Sequence, residues 1–139
     1  MSKKKQTKSH TFALIEEDVK QRDNTRNITE NSFYRISFEK YIKKDCEVKD
    51  LVISCAKKTI LWFRDIGLTS EKEELNKINK SDKAIIKVGN YRYLFNGLEP
   101  DVEIKEHSIG DAQRVFYYID NYKKSVNIIL IKNSHIETK

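Results

Sequence analysis

Asp111-Ala-Gln-Arg-Val-Phe-Tyr-Tyr-Ile-Asp120 and Ser125-Val-Asn-Ile-Ile-Leu-Ile-Lys-Asn-Ser-His135 are the two runs that decide the fold class of this chain. Both are dense in β-branched and aromatic residues, and the polar stretch 121–124 between them suits a tight turn. In the first run Val115, Tyr117 and Ile119 share one parity, while Arg114, Phe116 and Tyr118 take the other. Successive strand residues point to opposite faces, so each set occupies its own side of a sheet. In the second run His135 shares parity with Ile129 and Ile131. Just upstream, Val102, Ile104 and Glu106 alternate with Glu103, Lys105 and His107, and Gly110-Asp111 turns that segment into the first run. The three segments are predicted to form an antiparallel meander.

Outward from the meander, Ser32–Glu39 alternates Tyr34, Ile36 and Phe38 with Arg35, Ser37 and Glu39, the period of a half-buried strand. From Cys46 to Ile66 the spacing changes to three and four, through Val48, Leu51, Val52, Cys55, Thr59, Trp62, Phe63 and Ile66, which predicts a helix. Ile53, Ile60 and Leu61 widen its apolar stripe, so this helix is expected to be deeply packed or to touch a partner. Gly67 is the expected stop. Ser70-Glu-Lys-Glu73 reads as a capping box opening a shorter helix with Leu75 and Ile78, antiparallel to the first. Ala84–Val88 and Tyr91–Phe95 flank Gly89-Asn90 and are predicted to form a hairpin. Asn96-Gly97 and Pro100 mark the following loop. The expected fold is therefore α+β: a strand, a two-helix hairpin, then the antiparallel meander. Residues 1–30 are expected to be a mobile basic and polar arm, with Phe12–Ile15 able to form a helical turn or pair with a sheet edge. Residues 31–139 are expected to form one domain.

Composition narrows the function classes. A chain of 139 residues, 38% hydrophobic and 35% charged, can build one core without disulfides or metal. No apolar run reaches the roughly 18 residues of a membrane span, and no secretory signal is seen, which leads to an expected cytoplasmic location. Cys46 and Cys55 lie outside any CxxC or Cys/His pattern and are expected to stay reduced. Of the net +6, the four lysines of Met1–His10 supply +4, so residues 11–139 together carry only +2. That arm reads either as a solvated tail or as a source of non-specific phosphate attraction. Walker, GxGxxG, HExxH and GxSxG motifs are all absent, so no cofactor and no metal are expected.

What remains is a set of charged side chains on predicted strands. Metal-free cleavage of RNA needs a base for the ribose 2′-hydroxyl, a cation for the phosphate and an acid for the leaving oxygen. Arg114 suits the second role because its planar fork matches phosphate oxygens. His135 or His107 suits acid or base work near neutral pH. Glu106 or Glu103 suits the base, and Lys105 adds positive potential. Each residue also has a plainer reading, as a salt-bridging or solvated side chain, and Phe116, Tyr117 and Tyr118 read first as packing residues.

The order strand, helix pair and meander, with Gln113-Arg-Val-Phe-Tyr-Tyr-Ile-Asp120, a turn and Ile128-Ile-Leu-Ile131, resembles the RelE/ParE toxin superfamily. The resemblance spans about residues 33–135 and is carried mainly by 102–135. It implies a RelE-like core and a ribosome-dependent mRNA endoribonuclease neutralised by a cognate antitoxin. Arg114 falls where the family contacts phosphate, His135 where a terminal catalytic side chain sits, and Lys105, Glu106 and His107 on the strand that completes the site. The 30-residue arm and the 84–95 segment depart from the pattern. The Arg-Val-Phe-Tyr-Tyr-Ile-Asp fragment also runs through branches that poison gyrase, so the fold is implied more directly than the target. Two other readings stay open. One is a non-catalytic phage or mobile-element module that binds a protein through its sheet edge or its broad apolar helix. The other is a small RNA-binding protein using Tyr91, Arg92 and Tyr93.

Overall fold

The computed structural model describes residues 32–43, 47–134 and 136. The N-terminal arm, Cys46 and His135 lie outside the described residues. Among these, strands β1 (Arg35–Ser37), β2 (Lys83–Ala84), β3 (Lys105–Ser108), β4 (Arg114–Asp120) and β5 (Ser125–Lys132) form one sheet in the order β1-β5-β4-β3-β2. Helices α1 (Ile53–Gly67) and α2 (Lys72–Ile78) lie between β1 and β2 in the chain. The fold is α+β, and β3, β4 and β5 form the antiparallel meander that their residue pattern predicts. β1 joins the far side of β5 in parallel, with Ile36 opposite Val126.

The sheet is covered on both faces, which explains the run of seven buried residues from Ser125 to Ile131. A strand buried on both sides has no solvent face to alternate toward. On one face Cys55, Trp62 and Ile66 of α1 and Leu75 of α2 pack with Val115, Tyr117, Val126, Ile128 and Ile131. On the other, Leu94, Phe95 and Ile104 pack with Phe116, Ile129 and Leu130. Full burial of each such side chain is worth about 1.5–3 kcal/mol, so the two-sided sheet is where most of the stabilisation accumulates. The pairing jumps from Phe116↔Leu130 to Tyr117↔Ile128, a bulge that leaves Ile129 as the extra residue of β5. Ile129 and Leu130 therefore both enter the second core, and Ile129 and Ile131 end on opposite faces. Parity is therefore broken within β5 itself, and His135 lies outside the described residues.

Several local expectations are corrected. The 84–95 hairpin does not form. β2 is two residues long, and Gly89–Phe95 is a 3-10 helix that begins at a left-handed Gly89, φ 56°. Leu94 and Phe95 both enter the second core, a consecutive pair that a strand would send to opposite faces but that a tight helix folded over the sheet can bury together. The long helix starts at Ile53 instead of Cys46. Val48–Asp50 is a 3-10 turn, and Leu51 and Val52 are extended, so the helical pattern is interrupted before Ile53. The capping box is absent too, since α2 starts at Lys72 with no side-chain cap bond. Nearby, Ser70 contributes its backbone carbonyl, which accepts from Lys124 Nζ at 2.5 Å, while Ser32 O accepts from the same amine at 2.8 Å. The β4–β5 turn, with Lys124 at φ 51°, is thereby tied to the entry of β1 and the α1–α2 loop.

A further tie closes the other end of β5. Glu47 accepts from Lys132 Nζ and from the Asn133 amide, both at 2.8 Å. The bond from Lys132 holds the Glu47 carboxyl below the ordinary value of 4.5, against a smaller opposing effect of burial. A depressed folded-state value means that the stabilisation is present above the unfolded pKa and disappears as pH falls through the folded one. Glu47→Gln is accordingly expected to lower the urea midpoint at pH 7, and the difference should shrink as the pH falls below the ordinary carboxylate value. Equal midpoints at pH 7 would count against the clasp.

Candidate functional site

Strand register distributes the sequence candidates over two faces. Glu106 is opposite Phe116 and Ser108 opposite Arg114, so Glu106 and Arg114 share the face of the second core. His107 is opposite Val115 and Lys105 opposite Tyr117, which puts them on the helix-covered face. Parity in β4 is as predicted, with Val115, Tyr117 and Ile119 on one side and Phe116 and Tyr118 on the other.

On the first face Arg114 is held in one orientation. Its Nε lies 3.6 Å from Glu106 Oε1, with the two side chains 18% and 21% exposed. Its Nη1 donates to the Gln113 carbonyl at 2.9 Å, to the Gly110 carbonyl at 3.0 Å and to Ser108 Oγ at 3.3 Å. Among the described residues Nη2 has no hydrogen-bond partner, so one arm of the fork is left for an anion. The Tyr91 hydroxyl lies in the field of this pair: burial raises its pKa, Glu106 raises it further and Arg114 opposes them. Gly110 shapes the support. A Cβ there would run into Gln113 Oε1 and come within 2.8 Å of Cys55 Sγ, so the backbone that receives Arg114 can sit this close to α1 only without a side chain.

The helix-covered face carries a second polar cluster. His107 Nδ1 lies 2.9 Å from Asp82 Oδ1, and the Asp82 side chain is only 2% exposed. Tyr117 donates its hydroxyl to the other Asp82 oxygen at 2.6 Å. The His107 ring stacks on Trp62 with centroids 4.1 Å apart and planes within 10°, and Trp62 Nε1 donates to Asn79 Oδ1 at 2.9 Å. Burial and the bond to Asp82 push the Tyr117 phenol well above its ordinary value. For Nδ1 to donate to the carboxylate, His107 must carry its proton there, which leaves Nε2 as the ring's acceptor when neutral. Asp82, Tyr117, Trp62 and Asn79 were not among the sequence candidates. Trp62 and Tyr117 were visible as core positions, but nothing in the local pattern marks the loop residue Asp82 as a partner of a histidine 25 positions away.

Glu103 and Lys105 line a cleft of about 600 Å³ at one end of the sheet. Glu99, Asp101, Glu103 and Asp120 face Lys40 and Lys105 there, an acid excess that disfavours a phosphate backbone in that cleft. Tyr91 and Tyr93 are half-buried against the second core and Arg92 is exposed, so this segment presents no row of free aromatic faces. Among the described residues no group of histidines, cysteines and acids could hold a metal ion, and no helix is long and apolar enough to cross a membrane. Of the five sequence candidates, Arg114 and Glu106 come together, His107 and Lys105 lie across the sheet from them, and His135 is outside the described residues. No family model, curated protein or solved structure matches the chain.

Proposed function

We propose that this chain is a toxin-like, metal-independent mRNA endoribonuclease on a RelE-like scaffold, acting on the ribosome and restrained by an antitoxin protein. The observation that supports this reading most directly is Arg114, held by Nε and Nη1 with Nη2 left open, beside the Glu106 carboxylate at 3.6 Å. A cation for the phosphate and a base for the 2′-hydroxyl are then neighbours on one face of a rigid meander, already oriented before RNA arrives. Arg114 would meet the developing phosphate charge, Glu106 would accept the 2′-hydroxyl proton, and His135 would protonate the leaving oxygen. His107 and Lys105, across the sheet, would serve the fold instead of the reaction.

Arg114→Ala should lower mRNA cleavage on translating ribosomes about a hundredfold, the scale set by loss of one oriented donor to a charged transition state. Arg114→Lys should recover little, because an ammonium cannot hold the carboxylate and a phosphate in the same plane. His107→Gln should leave the residual rate of a folded sample near wild type. The reading fails if wild-type protein cleaves no RNA on translating ribosomes and expression of wild type and Arg114→Ala is equally harmless to cells.

One observation favours a second reading, a protein-binding module. The outward side of α1 exposes Ile53, Ile60 and Leu61 beside Val52, so the widened stripe is not absorbed by the core. Under that reading Arg114→Ala would keep its function, and a charge at Ile53 or Ile60 would abolish it.

A further inference from the structure

The 3-10 helix Gly89–Phe95 brings a third polar group to the Arg114 face. The Tyr91 ring packs on Phe116 with centroids 6.3 Å apart. Phe116 sits opposite Glu106 across β3 and β4, and two residues from Arg114 on the same side of β4. Directly opposed side chains start about 5 Å apart, and neighbours on one face of a strand about 7 Å apart. Tyr91, Arg114 and Glu106 are therefore grouped around one ring, and both charges act on the Tyr91 hydroxyl. Tyr118 flanks Phe116 from the other side and feels Asp120 and Glu39 instead, so it faces a different part of the surface.

Two donors of this group are unused. Neither the Tyr91 hydroxyl nor Arg114 Nη2 makes a hydrogen bond among the described residues. Asn79 Nδ2 is the one buried side-chain polar atom there without a partner, so both of these atoms reach solvent. Burial and then Glu106 raise the Tyr91 pKa above its ordinary value of 10.0 against the pull of Arg114, so at neutral pH the hydroxyl keeps its proton and can donate. An open hydroxyl beside an open guanidinium arm suits an anion with several acceptor oxygens. Glu106 adds a second condition. A carboxylate only accepts, and it repels a phosphate beside it unless the ligand also brings a hydroxyl to it. A ribose 3′-phosphate meets both conditions, because its 2′-hydroxyl adjoins the phosphate. A deoxyribose phosphate meets only the first.

We propose that Tyr91 is the second phosphate-binding residue of this face. Its hydroxyl and Arg114 Nη2 donate to two oxygens of one ribose 3′-phosphate, while Glu106 accepts from the adjacent 2′-hydroxyl. The 3-10 helix is then part of the site as well as a cover for the second core. Tyr91 acts through its hydroxyl, so its ring can stay packed on Phe116. The inference rests on the reading of Arg114 and Glu106 given above, but it concerns binding and does not require that RNA be cut.

Calorimetric titration of the full chain with adenosine 3′-monophosphate tests it, with 2′-deoxyadenosine 3′-monophosphate as the comparison. The wild type should prefer the ribose ligand by about tenfold, and Tyr91→Phe should weaken its binding by about tenfold, the scale of one hydrogen bond to a charged group. Arg114→Ala should abolish binding of both ligands, and Glu106→Ala should remove the preference between them. Tyr118→Phe should change neither affinity. Loss of binding in Arg114→Ala with no change in Tyr91→Phe overturns the proposal and leaves the role of Arg114 standing. A weakening that Tyr118→Phe reproduces also overturns it, because the effect is then one of packing in the second core. Absence of binding to the wild type overturns it as well, and RNA cleavage on ribosomes decides the earlier reading separately. Far-UV circular dichroism of Tyr91→Phe checks that the fold is kept, since the ring on Phe116 remains.

Discussion

Trp62→Ala is expected to lower stability by about 3–5 kcal/mol, the range for truncating a large buried aromatic side chain. Trp62 is buried in α1, stacks on His107 and meets Tyr117 edge-on with centroids 5.1 Å apart. Its indole also supplies the bond to Asn79 Oδ1, a residue whose Nδ2 has no partner among the described residues. Truncation would open a cavity between helix and sheet and strand a buried amide together. Trp62→Phe separates these effects. It keeps most of the ring contact and loses the indole donor, at an expected cost of about 1–2 kcal/mol. Trp62 is the only tryptophan, so unfolding in urea must be followed by far-UV circular dichroism for both variants. A loss below about 1 kcal/mol for the alanine variant would mean that the site collapses around the gap and that the stack is incidental.

Asp82→Ala is expected to cost about 2–4 kcal/mol, because it leaves the buried Tyr117 hydroxyl and the His107 ring without their shared acceptor. Tyr117→Phe removes one of those stranded donors in advance. The double variant should therefore be more stable than the two single losses add up to, and a double-mutant cycle reads the coupling directly. Strict additivity would show that the carboxylate and the phenol do not act as a unit. The same bond has a consequence in alkali. The folded-state pKa of Tyr117 lies above its unfolded value of 10.0, so its contribution is complete below that pH. Above it the unfolded chain can shed a proton that the folded chain retains, and stability erodes. Burial raises Tyr34, Tyr91 and Tyr118 in the same direction, which should make alkaline unfolding steep. Tyr117→Phe should flatten it more than Tyr34→Phe does.

The meander was legible because alternation and turn residues coincide: β4 reads correctly residue by residue, down to which of Arg114–Ile119 face the helices. Reading failed where a tertiary demand overrode a local one. Gly89-Asn90 looks like a hairpin turn, but the far face of the sheet needed a cover, and Leu94 with Phe95 provided it as a tight helix. The bulge at Ile129 could not be read from an unbroken Ile-Ile-Leu-Ile run, because every residue in it is apolar whichever face it takes. Of the five site candidates, only the juxtaposition of Arg114 and Glu106 agrees with strand parity. Arg114 and Glu106 meet because parity and register agree, and the same parity separates His107 from them. Asp82 stayed invisible because a buried acceptor contributed by a loop has no period.

The sheet is widest in its middle and almost vanishes at its margins. β4 and β5 run to seven and eight residues, while the outer strands β1 and β2 have three and two. A stranger chain trying to extend the ladder would find only a few unpaired amides and carbonyls on either side, next to Arg35 or Lys83. Among the described residues both margins are therefore poor templates for self-association by strand addition, the usual route from a β-rich protein to fibrils.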